Sequence, residues 1–268
     1  MKLKWYSITL FVIGVAVTLG PALWQHDPLE QNIDQRLAPM SFNYPLGTDQ
    51  FGRDMLARIM VGGRWSLVGA AIVSLGTTGL GFMLGAMAAM GPKWLDHIIR
   101  RLTEVFQAVP GVLLALALTA LLRPSFANLL LALVLTNWTW YSRMYRSMIR
   151  QALSAAHIEG TRALGASYLH IVTRHILPNI VSPVIVIATL NFGAVLLNVS
   201  ALSFIGLGLP PPTPEWGNLI NESRNFFQRV PLLMIAPGLC IAITVLSVNL
   251  LGNDLRDQIT KRQGFLQK

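Results

Sequence analysis

The side chains most able to do chemistry are concentrated in two polar segments of the sequence, residues 45–54 and 157–179. The spacing of Asp49 and Asp54 in the first segment does not match that of a calcium loop. None of the five histidines pairs with a cysteine or carboxylate at metal-ligand spacing, and no nucleophile lies beside a base. Because no G-x-x-x-x-G-K-S/T sequence is present to cradle phosphates, the chain should not bind ATP itself. The sequence therefore predicts no catalytic residue and no metal site in either segment.

The second segment, residues 157–179, is the longest polar interruption in the apolar second half of the chain. It predicts two short helices joined at Gly165, with Glu159 and Arg162 on the first helix. The apolar face of the second helix is expected to hold Tyr168, Leu169, Val172 and Ile176. Its polar face is expected to hold His170, Thr173 and Arg174. An amphipathic helix pair between membrane spans indicates a docking platform for a soluble partner, and Pro178 suits the first turn of the next helix.

The composition is that of a membrane protein, with 53% hydrophobic residues, 12% charged residues and a mean hydropathy of +0.52. Soluble domains carry about 25% charged residues, and a helix needs about 20 apolar residues to cross a bilayer. Six apolar runs suit such crossings, at about residues 7–24, 65–90, 105–122, 126–142, 180–205 and 231–251. The sequence therefore predicts an all-α polytopic membrane protein with six transmembrane helices. The first run is expected to be a retained anchor, because no signal-peptide cleavage site follows it.

The basic residues are distributed unevenly between the two sides that six alternating spans would create. With residues 1–6 inside, the inside segments hold 14 of the 21 Lys and Arg residues and five of the 12 acidic residues. All of the net charge of +9 then falls on one side, as the positive-inside rule expects. Both termini and residues 157–179 are therefore expected in the cytoplasm. This distribution favours a lipid bilayer, and not a nucleic acid, as the partner of the basic residues.

Polar residues within or beside the apolar runs are candidates for a translocation path, and they are Asn137, Asn191, Asn198 and Ser200. Polar groups at membrane depth cost free energy unless they meet partners or water, so these side chains should bond neighbouring helices or line a watery path. No carboxylate, lysine or arginine lies deep within a run, which argues against proton-coupled transport. The single cysteine, Cys240, is expected to be a packing residue.

Glycines and prolines in the runs predict where helices approach closely or bend. The second run carries five closely spaced glycines that should allow helix packing: Gly69, Gly76, Gly79, Gly81 and Gly85. Three prolines could bend their helices: Pro110, Pro183 and Pro237. After the fifth run, four apolar residues are expected on a membrane surface or beneath a docked protein: Trp216, Leu219, Ile220 and Phe227.

The first polar segment lies in an external stretch of about forty residues that follows the first run. Its glycines, Thr48 and Asp49 favour a tight turn, and Asp54 can cap a helix that starts near Met55. A direct contact with a binding protein or with the substrate is the alternative role of this segment. The residues concerned are Gly47, Thr48, Asp49, Gly52, Arg53 and Asp54.

Several separated stretches of the sequence resemble a single protein family. Glu159, Gly165 six residues later and the pair Leu177–Pro178 resemble the EAA loop of permease subunits in bacterial ABC importers. Other stretches are similar to the smaller permease of the peptide and nickel branch: LGTDxxGRD at 46–54, WxxYxRxxR at 138–146, SFxGLG and PTPEWG within 203–217, and NLLGNDLRD at 249–257. The chain departs from the family pattern in the triplet at 159–161, at His175 and at Asn253.

The resemblance implies a type I ABC importer permease fold in a bacterial inner membrane. In that family the EAA loop is the coupling helix that enters a cleft on the ATPase subunit. The matching residues here are Glu159, Arg162, Ala163, Gly165, Ala166, Leu177 and Pro178. The family further implies a homologous second permease in a heterodimer, two ATP-binding subunits that carry ATP and Mg, and an external substrate-binding protein. No cofactor is expected on this chain.

The expected organisation is an N-terminal span with an external loop at 1–64, a permease domain at 65–257 and a cytoplasmic tail at 258–268. Peptides, nickel and metal chelates are the expected cargo classes, and residues 137–146 look slightly closer to nickel-type members. A metal would travel as a chelate, because the histidines offer no ligand set. Two alternatives stay open at this point: an ion-coupled secondary transporter, and a membrane scaffold that does not transport.

Overall fold

The computed structural model describes residues 4–123 and 125–266, without the side chains of residues 157, 162, 169 and 260–266. The described part is helical, apart from one isolated antiparallel bridge between Thr48 and Asp54. Its α-helices are α1 (Trp5–Thr18), α2 (Gly20–Leu23), α3 (Met55–Met90), α4 (Lys93–Gln107), α5 (Gly111–Leu121), α6 (Phe126–Leu153), α7 (Ala156–Ala163), α8 (Tyr168–Ile171), α9 (Leu177–Phe204), α10 (Trp216–Ser223) and α11 (Leu232–Leu266). The prediction of an all-α chain is therefore confirmed.

Three helical stretches of the described residues are long and apolar enough to cross a membrane: Met55–Met90, Val172–Phe204 and Leu232–Ile259. The pair α4 and α5 makes a fourth if the two bent helices count as one span. The remaining two predicted runs lie on α1, which is apolar but has 14 residues, and on the first half of α6. Each predicted run thus falls mainly on helical residues.

The third predicted run is interrupted, because α4 and α5 meet at a bend of 86°. Pro110 immediately precedes α5, where its ring fits the helix start and ends the hydrogen-bond ladder of α4. Pro183 and Pro237 lie inside α9 and α11, each of which continues through its proline. Of the three prolines expected to permit bends, Pro110 is the one that accompanies a break between helices.

Close packing of α3 against α6 depends on glycines that face the neighbouring helix. A Cβ atom added at Gly81 would lie 2.6 Å from Cβ of Tyr141, and one at Gly85 would lie 2.6 Å from the carbonyl oxygen of Ser142. Gly69 and Gly76 likewise face side chains of α6, whereas Gly79 has open space around it. The predicted packing role therefore holds for these four glycines, which let two long helices approach each other closely.

Trp216 and Leu219 of α10 lie in the protein interior, contrary to the prediction that they lie on a membrane surface or beneath a docked protein. Trp216 and Leu219 are 1% and 2% exposed, and the indole of Trp216 donates a 2.9 Å hydrogen bond to the carbonyl of Ile59 on α3. Ile220 is half-buried, and Phe227 is exposed. The error arose because helical periodicity shows that one face is apolar but not what covers it.

Candidate functional site

The coupling segment (residues 157–179) folds as a helix, a turn, a short helix and a wide helical turn. The first helix is α7, and the chain then turns at Gly165, whose φ of +83° lies in the left-handed region that favours glycine. The second helix, α8, passes into a π-helical turn at Val172–Ile176 and then directly into α9. The expected pair of short helices joined at Gly165 is therefore present.

The wide turn ends two residues before Pro178, which has no N–H group to donate. Leu177, the last residue before the proline, donates its N–H to the carbonyl of Val172, five residues earlier. Pro178 then occupies the first turn of α9, where a missing donor costs little. From Tyr168 to Phe204 the backbone is thus continuously helical, so the coupling segment and α9 form one connected element.

The buried face of the coupling segment differs from the predicted one. Ile171 and Ile176 are 1% and 2% exposed, whereas Tyr168 is 49% exposed. A regular 3.6-residue period predicted Tyr168 inside and gave no role to Ile171. The π-helical turn places residues five apart on one face, which explains why Ile171 and Ile176 are buried together. The predicted polar residues His170, Thr173 and Arg174 are exposed, as expected.

The isoleucines anchor the coupling segment to three long helices. They belong to a cluster of buried side chains: Ile149 of α6, Ile158 of α7, Ile171, Ile176 and Ile180 of α9. Phe82 and Met90 of α3 pack against the same cluster, as do Met148 and Leu153 of α6. A force applied to the coupling segment therefore reaches α3, α6 and α9 through side-chain packing.

The opposite face of the coupling segment is open. Leu164, next to the Gly165 turn, is 90% exposed, and Glu159, Ala163 and Pro178 are also exposed. Ala166 and Leu177 are half-buried, with Ala166 against the isoleucine cluster. The side chain of Arg162 lies outside the described residues. The predicted coupling residues that can be placed thus divide into an outward face and an anchoring face.

The first polar segment (residues 45–54), which we call the external signature after its predicted location, builds the start of α3. Asp54 caps this helix by accepting hydrogen bonds from the backbone N–H groups of Leu56 (2.8 Å) and Ala57 (3.5 Å), as the sequence predicted. The same carboxylate accepts from the indole of Trp24 at 2.6 Å and lies 2.6 Å from Nδ1 of His26. Asp54 therefore joins the residues that follow α2 to the start of α3.

A buried charge cluster (Asp49, Arg53, Arg58 and Glu222) joins the external signature to α10. Asp49 binds Nε of Arg53 at 2.6 Å, and Glu222 accepts from Arg53 at 3.0 Å and from Arg58 at 2.9 Å. Both arginines are at most 2% exposed, so the carboxylates must compensate each buried guanidinium group for its lost hydration. Sequence reasoning identified Asp49 and Arg53 but missed Arg58 and Glu222, which meet them only through the fold.

The remaining residues of the signature, Gly47, Gly52 and Thr48, shape the turn. Gly52 has a φ of +72°, and a Cβ there would lie 1.7 Å from the carbonyl oxygen of Asn32. Thr48 is fully buried and donates to the carbonyl of Gln35. Gly47 also has a positive φ. These contacts favour the predicted structural turn over a surface that touches substrate.

Glu215 is a buried carboxylate that the sequence reading did not single out. It caps α10 by accepting from the N–H of Asn218 at 3.1 Å, and it accepts a 2.6 Å hydrogen bond from the hydroxyl of Ser66 on α3. Burial raises the pKa of this carboxyl group, while the hydrogen bond from Ser66 acts in the opposite direction. Glu215 thus holds α10 against α3.

Of the four candidates for a translocation path, Asn137 lies on α6 and the other three lie on α9, and no hydrogen bond joins any two of them in the described part of the chain. Asn191 of α9 is 6% exposed and links its helix to α3 and α6. It donates hydrogen bonds to Thr77 at 3.0 Å and to Ser74 at 3.4 Å, and it accepts one from the hydroxyl of Tyr141. Asn137 donates to the carbonyl of Leu133 in its own helix. Asn198 is half-buried, and Ser200 is 5% exposed. These contacts favour a role for Asn191 in holding neighbouring helices together over a role in lining a watery path.

A second ionic contact joins α4 to α6. Asp96 of α4 accepts hydrogen bonds from Arg146 at 2.5 and 2.7 Å and from Arg150 at 2.8 Å. The hydrogen bonds from Arg146 lower the pKa of Asp96, with burial acting in the opposite direction. Phe106, near the other end of α4, packs with its ring centroid 5.9 Å from that of Trp138, so α4 runs antiparallel to α6.

Within the described residues, no group of three or more His, Cys, Asp or Glu could hold a metal ion.

Comparisons with known proteins match this chain to membrane components of transport systems. The model of a family described as binding-protein-dependent transport system inner membrane component matches residues 81–264. The dipeptide transport system permease protein DppC of Alkalihalophilus pseudofirmus is 37% identical over 252 residues, which cover 94% of this chain and 82% of that protein. The nickel transport system permease protein NikC of Escherichia coli is 31% identical over 259 residues, covering 95% of this chain and 94% of that protein.

A solved structure shares the fold at low sequence identity. It is an inward-facing conformation of the MetNI methionine ABC transporter, which aligns with a TM-score of 0.64 over 76% of this chain and 97% of that chain. At 14% identity this likeness shows the fold alone. The structural neighbour is an ABC transporter, so the helices of this chain have the arrangement of such a permease.

Proposed function

Because the chain belongs to the family of binding-protein-dependent transport system inner membrane components, we propose that it imports peptides, or nickel and metal-chelate complexes, across a bacterial inner membrane. Its relatives DppC and NikC are named for dipeptide and nickel transport, which supports these two cargo classes. The chain is the permease subunit of an ABC importer and not its ATPase. With a homologous second permease it would form the translocation path, and an external binding protein would deliver the cargo.

We propose six spans with both termini in the cytoplasm. Three helices and the bent pair α4–α5 support four spans by their length and composition. The apolar helix α1, continued by α2, and the first half of α6 would supply the other two. The excess of Lys and Arg on one side supports the orientation. In this arrangement residues 1–64 hold the first span and external loop, residues 65–257 the permease domain, and residues 258–268 a cytoplasmic tail.

The coupling segment is the proposed docking site for one of the two ATP-binding subunits, which would carry ATP and Mg. The observation that carries this proposal is the division of the segment into two faces. Leu164 and Glu159 are exposed, while Ile158 and Ile171 are anchored among the long helices. A soluble subunit can bind the exposed face, and the anchored face transmits its movement. The proposed contact residues are those of the family motif: Glu159, Arg162, Ala163, Gly165, Ala166, Leu177 and Pro178.

The proposed mechanism is a change in binding between two states. ATP would draw the ATPase subunits together, and the coupling segments would move with them. Because the segment continues into α9 and packs on α3 and α6, these helices would rock between inward-open and outward-open arrangements. The segment contributes binding free energy that differs between the states, and no chemistry.

Two further assignments concern the path and the external signature. Asn137 and Asn198 are half-buried, so they are the better candidates for lining the path. Asn191 and Ser200 are buried, and they would support the path from behind. For the external signature we propose a supporting role, in which residues 47–54 fix the start of α3 and α10 beneath a docked binding protein.

Charge reversal at Glu159 tests the proposed docking. The variant Glu159→Lys should reduce co-purification of the ATPase subunits in detergent, while the permease still enters the membrane. The matched control is Glu30→Lys, an equal charge change at an exposed residue of the proposed external loop. Normal co-purification of Glu159→Lys, or equal loss in both variants, would count against docking at the coupling segment.

A further inference from the structure

A cavity of about 430 Å³ lies between α4 and α6, and its lining includes no residue of the coupling segment or of the external signature. Its volume is in the range of ligand pockets, about 300–1,000 Å³. The polar residues that line it are Arg100, Thr103 and Glu104 of α4 and Ser142, Arg143 and Arg146 of α6. Three arginines against one glutamate give the lining a net positive charge, which suits an anion.

The arginines of the cavity differ in how they are neutralised. Arg146 is held by Asp96, and Glu104 is engaged by Arg101 at 2.9 Å. Arg100 and Arg143 are exposed and form no ion pair within the described residues. Two guanidinium groups with free donors therefore face the same cavity, and such groups suit the oxygens of a phosphate.

An unsatisfied hydroxyl group provides an independent sign of a ligand. Ser142 is 1% exposed, and its Oγ has no hydrogen-bond partner in the described part of the chain. A buried polar atom without a partner costs free energy. Since Ser142 lines the same cavity as the two arginines, an anion there would accept a hydrogen bond from its hydroxyl group and remove this cost.

The position of the cavity along both helices identifies the membrane boundary. On α6 the apolar run 126–142 ends at Ser142, and Arg143 begins the basic part of the helix. On α4 the polar part ends at Glu104, and the apolar run begins at residue 105. Toward the apolar ends of the helices, Val105 and Trp140 are 69% and 57% exposed. The cavity therefore lies where lipid phosphates meet acyl chains.

We propose that this cavity binds the phosphate of an anionic phospholipid from the inner leaflet. Arg100 and Arg143 would bind the phosphate oxygens, Ser142 would donate a hydrogen bond, and the acyl chains would lie along the exposed apolar residues. Basic pockets between helices at the cytoplasmic boundary are suited to such headgroups. The leaflet follows from the proposed membrane orientation, but binding itself does not depend on transport.

The test measures lipid retained by the full chain, co-purified with its partner subunits, after exchange into phosphatidylglycerol or phosphatidylcholine. Native mass spectrometry should show several-fold more phosphatidylglycerol than phosphatidylcholine. Because each basic residue near a membrane surface contributes about fivefold in affinity, Arg100→Gln with Arg143→Gln should lower phosphatidylglycerol retention more than tenfold. Arg100→Lys with Arg143→Lys should retain an intermediate amount, since lysine keeps the charge without the fork of donors.

Two controls keep the result specific. Arg224→Gln with Arg229→Gln removes two exposed arginines elsewhere and should not change retention. Ser142→Ala removes the unpartnered hydroxyl without a charge change and should lower retention about two- to fivefold. Equal retention of both lipids, equal losses in the control pair, or complete displacement of phosphatidylglycerol by millimolar inorganic phosphate would overturn the lipid site. The readout is the bound lipid and not ATPase binding, so a negative result would leave the proposed docking at the coupling segment untouched.

Discussion

Ile171 and Ile176 are buried in one cluster although they are five positions apart, because the π-helical turn Val172–Ile176 links α8 to α9. In a regular α-helix, residues five apart point in clearly different directions. The wide turn lets both side chains anchor the coupling segment while the backbone passes into α9 without a break. This relationship makes the part of the coupling segment from Tyr168 onward continuous with the long helix α9.

The Gly165 turn should be required for coupling, and alanine substitution tests it. A Cβ at Gly165 or at Gly160 would meet no atom within 4 Å, so the two sites differ mainly in backbone conformation. Gly165 has a φ of +83°, where an L-residue costs about 1–2 kcal/mol. Gly165→Ala should therefore reduce transport severalfold in an uptake assay, and Gly165→Trp should abolish it.

The matched variant Gly160→Ala should transport normally, because Gly160 lies within α7. Both alanine variants should reach the membrane in wild-type amounts. Wild-type transport by Gly165→Trp would show that the conformation of this turn is not needed.

Asn191 should contribute to stability, and Asn198 to transport. Replacing Asn191 by leucine removes hydrogen bonds to Ser74, Thr77 and Tyr141, each worth about 0.6 kcal/mol within a membrane. Asn191→Leu should therefore lower the thermal unfolding midpoint in detergent by several degrees. Asn198→Leu should leave that midpoint nearly unchanged but reduce uptake if Asn198 lines the path. If Asn198→Leu lowered the midpoint and Asn191→Leu reduced only uptake, the two residues would have the reverse of the roles proposed here.

Asp96 should stabilise the contact between α4 and α6 in a pH-dependent way. Its pKa is lowered in the folded protein from an ordinary value of 3.8, mainly by hydrogen bonds from Arg146. A lowered carboxyl pKa gives stability that is present above pH 3.8 and is lost as pH falls through the folded pKa. At pH 7, Asp96→Asn should reduce the free energy of unfolding by about 2 kcal/mol.

The difference between wild type and Asp96→Asn should shrink as the pH falls below about 3.8, which thermal unfolding at several pH values can measure. As a control at pH 7, Asp34→Asn, at an exposed residue of the predicted external stretch, should change the free energy of unfolding little. A difference for Asp96→Asn that stays constant down to pH 2 would contradict the role of ionised Asp96.

Local signals in the sequence predicted those features that local chemistry controls. Asp54 was expected to cap α3, and it does, because a capping side chain bonds to backbone groups two and three residues away. The turn at Gly165 and the position of Pro178 follow from the backbone preferences of glycine and proline. The glycines that face α6 were also foreseeable from their spacing.

Features that depend on distant residues could not be predicted in the same way. Burial of Ile171 follows from the π-helical turn, which no regular period signals. Glu222 and Arg58 are 164 residues apart and meet only in the folded chain. Likewise Asp96 finds Arg146 through the packing of α4 on α6, and the cavity between these helices has no signature in either helix alone.

The most direct test of the central claim is site-specific cross-linking from the outward face of the coupling segment. Leu164 is 90% exposed beside Gly165, and Phe42, in the proposed external loop, is 98% exposed. In a Cys240→Ala background, Leu164→Cys should cross-link to a co-expressed ATPase subunit in membranes, and Phe42→Cys should not. Cross-linking from Phe42→Cys together with none from Leu164→Cys would contradict both the proposed orientation and the role of the coupling segment.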